Sequence, residues 1–248
     1  MGLDELALTA TAALAIGALI GAIGIGGVLL TPWLTQVIGL PVREAIVISS
    51  FAFIGTGAAA LIIALRTLRG AGSVNWPLIL ATAPGALLGA WALAIIPGRL
   101  ALALLATLTL AVGIKALLRP RAGSEHQARP AAAPGIPVGG LTGFASALTG
   151  TGGPMVLVPL LLWRGLPMRD AILLGQAVQL PIAALATAGN LYLGGVDVAA
   201  GAAIGLMLVP GAFLGHRLAS VLPLAVLTRL VGITLIAAGL SFAIKAAS

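Results

Sequence analysis

The chain consists largely of uncharged stretches that are long enough to cross a lipid bilayer. A membrane-spanning helix needs about 20 apolar residues, because the hydrocarbon core is about 30 Å thick. Candidate stretches with no charge, or with one near an end, cover residues 45–65, 76–96, 100–118, 171–193, 222–244 and the shorter 198–215. Only 8% of the residues are charged, against roughly 25% in soluble domains. The sequence therefore predicts an all-α polytopic membrane protein.

Two further uncharged stretches, residues 6–42 and 130–163, are too long for one ordinary crossing. At about 1.5 Å per residue, the first would form a helix roughly 55 Å long. Each is interrupted near its middle by glycine, as Gly24-Ile25-Gly26-Gly27 and as Gly150-Thr151-Gly152-Gly153. We expect each stretch to form two half-helices around a break, with the second half-helices beginning at Val28 and Pro154.

The two halves of the chain match each other at a constant offset of 126 residues. The run GLPVREA at 39–45 corresponds to GLPMRDA at 165–171, and PGALLG at 84–89 corresponds to PGAFLG at 210–215. A fixed offset that carries proline, arginine and acidic positions indicates an internal duplication. The halves are separated by a polar, proline-containing segment, which predicts a first repeat at 1–118, a cytoplasmic linker at 119–137 and a second repeat at 138–248.

Two topologies are compatible with this duplication. Four full crossings per half give parallel repeats, whereas a re-entrant broken-helix hairpin plus three transmembrane helices per half gives inverted repeats. Cytoplasmic loops carry an excess of Lys and Arg. With the linker inside, the 13 basic residues divide seven inside and six outside in the parallel arrangement, but ten and three in the inverted one. We favour inverted repeats, with both termini outside.

The glycine breaks are the predicted substrate site. A helix N-terminus presents free N–H groups and partial positive charge, and broken helices of inverted repeats place such sites near the membrane midplane. The alternative is that these glycines only permit close helix packing, and that buried Ser and Thr bond their own helices. The expected substrate-binding residues are the break residues and nearby polar side chains: Gly24, Gly26, Gly27, Gly150, Thr151, Gly152, Gly153, Ser49, Ser50, Gln176 and Gln179.

The paired glycine motifs, the two GLPxR[ED]A runs and the duplication resemble the TauE/SafE family of sulfite-exporter-like transporters. The resemblance covers essentially the whole chain. It implies movement of small sulfur oxyanions or organosulfonates, such as sulfite, sulfoacetate or thiosulfate, across a bacterial-type cytoplasmic (inner) membrane.

The sequence therefore predicts a membrane transporter of small anions rather than an enzyme. An anion channel is the nearest alternative. An intramembrane lipid-phosphate enzyme is a weaker one, because the predicted hairpins hold no acid, base or metal site. We expect no catalytic residue, metal or cofactor, and no nucleic-acid partner. The expected partners are the lipid bilayer and a small anionic substrate; a coupling proton or ion and a homodimer stay open.

Overall fold

The computed structural model describes residues 3–24, 26–70, 75–118, 135–164, 166, 168–195, 197–218 and 224–247. Over these ranges the chain is helical and contains no strand. A 3-10 helix covers Gly26–Leu29. The α-helices are α1 (Leu3–Ile23), α2 (Leu30–Gln36), α3 (Val42–Gly70), α4 (Trp76–Ile95), α5 (Gly98–Leu118), α6 (Ile136–Thr149), α7 (Pro154–Trp163), α8 (Met168–Ala177), α9 (Gln179–Tyr192), α10 (Val198–Leu218) and α11 (Leu224–Ala247).

Four segments of the described chain are long and apolar enough to cross a membrane: Val42–Thr67, Trp76–Ile95, Asp170–Tyr192 and Val198–Arg217. The third comprises α8 and α9, which follow each other with one turn residue at Val178. Shorter apolar segments, Gly98–Ala111 and Leu235–Ile244, lie within α5 and α11. The prediction of an all-helical membrane protein is confirmed at this level.

Many large apolar side chains on the helices are exposed. Leu88 and Trp91 of α4 and Leu206 of α10 are all more than half exposed. Water would disfavour so much apolar surface, and large exposed apolar patches on a soluble monomer are rare. Lipid contact explains these side chains.

α1 and α10 pack closely against each other through glycine residues. A side chain at Gly17 would meet the backbone of Leu208, and one at Gly21 would meet Ala212. The contacts advance in the same direction along both helices, so α1 and α10 run parallel. α4 and α6 make the corresponding pair, because Gly139 lies against Leu78 and Gly143 against Thr82. Small residues at such crossings let helix backbones approach closely in membranes.

α5 and α11 pack against each other in the opposite sense. Gly113 lies against Ile236, whereas Gly239 lies against Leu110, so residue numbers rise along one helix as they fall along the other. The two contacts exchange when the 126-residue offset is applied to each residue. The contacts of α1 with α10 and of α4 with α6 exchange in the same way. Equivalent helices in the two halves are therefore related by reciprocal contacts.

Most of the predicted linker lies outside the described residues, because residues 119–134 are not described. α6 begins at Ile136, which places the start of this helix inside the range expected for the linker. The preceding residue, Gly135, has extended backbone and Pro137 lies in the first turn. Proline fits there because the first helical N–H groups have no intrahelical acceptor.

Candidate functional site

The first glycine cluster interrupts the helix. α1 ends at Ile23, and Gly24 follows with φ of +75°. Gly26 and Gly27 then belong to the 3-10 helix, and α2 begins only at Leu30. The prediction that a half-helix begins at Val28 is therefore wrong. Glycine at the start of this segment allows a tighter 3-10 turn to precede the α-helix, as is common at helix ends.

The second glycine cluster interrupts the chain in a different conformation. Gly150 caps α6 with φ of +65°, and its N–H donates to the carbonyl of Ser146. Gly152 and Gly153 have φ of +78° and +104°, values that side chains rarely tolerate. α7 then begins at Pro154, as the sequence predicts.

The second break leaves donors available at the start of α7. Val156 and Leu157 both donate to the carbonyl of Gly153, which closes the first turn. Within the described part of the chain, no hydrogen bond uses the amides of Gly152 or Gly153. These N–H groups precede a ten-residue helix, so they carry the partial positive charge of its N-terminus.

The two breaks meet in the interior. The hydroxyl of Thr31, one residue into α2, lies 3.3 Å from the carbonyl oxygen of Gly150. The ring of Phe53 fills the space between the breaks, because a side chain at Gly27 or at Gly152 would lie 3.1 or 3.2 Å from it. Phe53 is only 1% exposed. The breaks are thus held around one buried aromatic ring from α3.

Gln179 connects the second break to α3. Its side-chain nitrogen donates to the hydroxyl of Thr56 over 2.9 Å, and Gly153 packs against its backbone. The side chain is buried, and its Oε1 has no hydrogen-bond partner among the described residues. An unpartnered buried amide oxygen is costly. A water or ligand donor at this position would remove that cost.

Gln176 lies beside the first break and at the wall of a small cleft. Its side chain approaches Gly24, where an added Cβ would lie 3.7 Å from its Cγ. The cleft, hereafter the α1–α10 cleft, leaves about 30 Å³ for water-sized molecules, enough for one or two waters. It is lined by Ile20, Gly21, Thr56, Ala59, Ala60, Ile63, Gln176, Ala212, Phe213 and His216.

The predicted serine and threonine residues are engaged within the protein. Ser50 donates to the carbonyl of Ile46 in its own helix, and Ser49 lies 3.3 Å from the hydroxyl of Thr31. Thr151 is within 3.1 Å of the hydroxyl of Thr149. Ser50 therefore satisfies its own helix, whereas Ser49 contacts α2 and Thr151 joins the second break to the end of α6.

Phe53 and Thr56 contact predicted site residues but are not among the residues predicted from the sequence. The 126-residue offset could have identified both residues as site candidates, because it makes Phe53 equivalent to the predicted site residue Gln179, and Thr56 equivalent to Ile182. An aromatic residue at the position of a buried glutamine marks that position as central in both halves. The polar pair between Gln179 and Thr56 therefore has an apolar counterpart.

The site is electrically neutral in its side chains. The polar groups beside the two breaks are glycine amides, hydroxyls and the carboxamides of Gln176 and Gln179. Charged residues in the described segments lie near helix ends, as with Arg43 and Glu44 at the start of α3 and Arg217 at the end of α10. Such a site favours an anion through backbone dipoles rather than through a fixed cation.

Comparison with known proteins gives one match. The family model described as "Sulfite exporter TauE/SafE" matches residues 10–242. Neither a curated protein nor a solved structure matches the chain.

Proposed function

The chain belongs to the TauE/SafE sulfite exporter family, and from this premise we propose that it carries a small sulfur oxyanion or organosulfonate across the cytoplasmic membrane. Sulfite, thiosulfate and sulfoacetate are the candidate substrates, because each presents a compact anionic sulfur–oxygen group. The observation that carries the proposal is the pair of unengaged amides of Gly152 and Gly153, which lie at a helix start beside the other break.

The proposed architecture is a pair of inverted repeats, each with a broken hairpin that enters and leaves on the same side. Helix directions support it. α1 runs parallel to α10, and α10 runs parallel to α3, since Gly201 and Gly205 lie against Phe51 and Ala52. α1 and α3 therefore point the same way, which requires the chain between them to turn back. The equivalent helices α5 and α11 are antiparallel, which supports inverted rather than parallel repeats.

The proposed binding position is close to the membrane midplane. Phe53 and Thr56 lie near the middle of the candidate span Val42–Thr67, and Gln179 lies near the middle of Asp170–Tyr192. Both breaks contact these central residues. In the inverted topology the α1–α10 cleft, with His216 at the end of α10, opens toward the cytoplasm, and the chain termini lie outside.

A carrier is a better reading of this arrangement than a channel. The α1–α10 cleft reaches Thr56, but the adjoining residues Phe53 and Gln179 are buried. An open pore would require water along that whole route. The substrate must instead be released after a change of conformation, as in other transporters with inverted repeats.

The test is flux into proteoliposomes containing purified protein. We expect saturable uptake of radiolabelled sulfite, thiosulfate or sulfoacetate, accelerated by the same anion inside the vesicle, with sulfate and phosphate as comparison anions. Gly153→Ala should lower the flux strongly. Gly194→Ala is the matched control, because Gly194 also has positive φ (+86°) but has open space around it. Monodisperse protein that moves none of the sulfur anions faster than empty liposomes would overturn the proposal.

A further inference from the structure

Four buried polar side chains on α6 and α9 have no hydrogen-bond partner in the described part of the chain. Their unpartnered atoms are the hydroxyls of Thr142, Ser146 and Thr187 and the amide nitrogen of Asn190. All four residues are at most 5% exposed. A buried polar group without a partner carries a free-energy penalty, and each such group in a protein calls for a reason.

These side chains lie in two pairs, one on α6 and one on α9, and the two helices contact each other. Thr142 and Ser146 are one turn apart on α6, and Thr187 and Asn190 are three residues apart on α9, so each pair shares a face. α6 contacts α9, and both helices pack against α4. The 126-residue offset pairs the four with Ile16, Ile20, Leu61 and Ala64, which are all apolar. Only the second half of the chain therefore has polar side chains at these four positions.

The same offset relates this region to the α1–α10 cleft. Ile20 and His216 line the cleft, and their equivalents are Ser146 and Ala90. His216 is exposed, whereas Ala90 is fully buried. Ala90 packs against Gly189, where an added Cβ would lie 3.0 Å from the Ala90 Cβ. In the equivalent region, Ala90 and Gly189 are in contact and leave no opening. Their counterparts His216 and Ile63 line the open α1–α10 cleft.

We propose that the space between α4, α6 and α9 is a second cleft, closed in this structure, that admits water and the small anion from the opposite side of the membrane. This rests on the function proposed above. The second cleft is the route of the anion to and from the other side of the membrane, and the two clefts open alternately. Opening would move Ala90 away from Gly189 and expose Ser146, so that its hydroxyl and those of its neighbours gain water or substrate as partners.

Single cysteines test the proposal, because the chain has no cysteine of its own. Ser146→Cys changes one atom, and Ile20→Cys at the equivalent position reports on the α1–α10 cleft. Each variant is treated with the impermeant thiol reagent 2-(trimethylammonio)ethyl methanethiosulfonate, a cation outside the proposed substrate class, in right-side-out and in inside-out membrane vesicles. We expect Ile20→Cys to react from the cytoplasmic side and Ser146→Cys from the other side. Sulfoacetate should shift the two rates in opposite directions; sulfite is unsuitable, because it cleaves disulfides and the reagent.

A cross-link tests whether the closed contact must open. The double variant A90C/G189C should transport sulfoacetate when reduced, lose at least tenfold of that rate when oxidised, and recover with reductant. Disulfides need Cβ atoms about 3.8 Å apart, so a small relaxation suffices. The matched control is G113C/L235C, which joins α5 to α11 across the same 3.0 Å and should transport equally in both redox states. The four single-cysteine parents control for damage to folding.

Two results would overturn the inference. One is Ser146→Cys that reacts from the same side as Ile20→Cys, or from neither side, in protein that transports. The other is oxidised A90C/G189C that transports at its reduced rate. Failure of the proposed function looks different: wild-type protein would move no sulfur anion, while side-specific labelling of the two cysteines would still occur.

Discussion

Comparing Gly152→Ala with Gly39→Ala separates the effect of backbone strain from loss of the proposed binding site. Both glycines have positive φ, but only Gly152 lies in that site. Gly152 has φ of +78° and Gly39 has φ of +82°, so alanine suffers the same conformational cost of about 1–2 kcal/mol at either position. At Gly39 nothing lies within 4 Å of the added Cβ. At Gly152 the Cβ lies 3.2 Å from the ring of Phe53, which is buried and has little room to move.

The structure sets different magnitudes for the two variants. Overpacking a core commonly costs about 1–3 kcal/mol, so G152A should lose roughly 2–5 kcal/mol of stability and G39A roughly 1–2 kcal/mol. In the proposed binding mode, G152A also displaces an amide that donates to the anion. A hydrogen bond to a charged group contributes about 1.5–3 kcal/mol. We therefore expect the KM for the transported anion to rise roughly ten- to hundredfold in G152A and to stay unchanged in G39A.

The assay is the initial rate of anion uptake into proteoliposomes over a range of concentrations. Rates are normalised to the monodisperse protein recovered, and thermal unfolding in detergent gives the stability of each variant. G152A with the KM of wild type, at a stability equal to that of G39A, would refute the assignment of this amide to substrate binding. A common loss of stability with unchanged KM would leave glycine strain as the whole explanation.

Three further sets of substitutions test the helix packing, the second break and the topology. Gly215→Ala should destabilise the protein by about 1–3 kcal/mol, because the new methyl would overlap the carbonyl of Ala18; Gly98→Ala, with open space around it, should change the unfolding temperature little. Gln179→Leu should reduce anion flux more than tenfold while leaving stability almost unchanged, because it removes an unpartnered carboxamide oxygen together with one hydrogen bond; a transport rate equal to wild type would contradict this. Cysteine at Asp197 should react with impermeant reagent from outside and cysteine at Arg66 from the cytoplasm, and labelling of both from one side would contradict the inverted topology.

Much of the architecture follows from local sequence. Uncharged runs predict membrane helices because the bilayer leaves few alternatives for a backbone. The helix breaks at Gly24 and Gly150 follow because glycine supplies the positive φ that ends a helix. The start of α7 at Pro154 follows from the fit of proline to a first helical turn.

Other features depend on contacts between distant residues and could not be read locally. The two clusters match in sequence, yet Gly26 and Gly27 form a 3-10 helix while Gly152 and Gly153 take positive φ. The hydrogen bond from Gln179 to Thr56 joins residues in opposite halves. The central position of Phe53 shows in the sequence only through its equivalence to Gln179 at the 126-residue offset, because a phenylalanine in an apolar run by itself predicts only burial.

The glycine-groove pairing of α1 with α10 has a consequence for how the protein is made. α1 emerges from the ribosome long before α10 is made. In the same way, the glycines of α6 pack against α4, a helix of the other half. Long-range contacts of this kind slow folding. Until synthesis reaches α10, the face of α1 that carries Gly17 and Gly21 has no partner helix. Each half completed alone would present an open groove, so a split gene should yield working protein only when both fragments enter the same membrane.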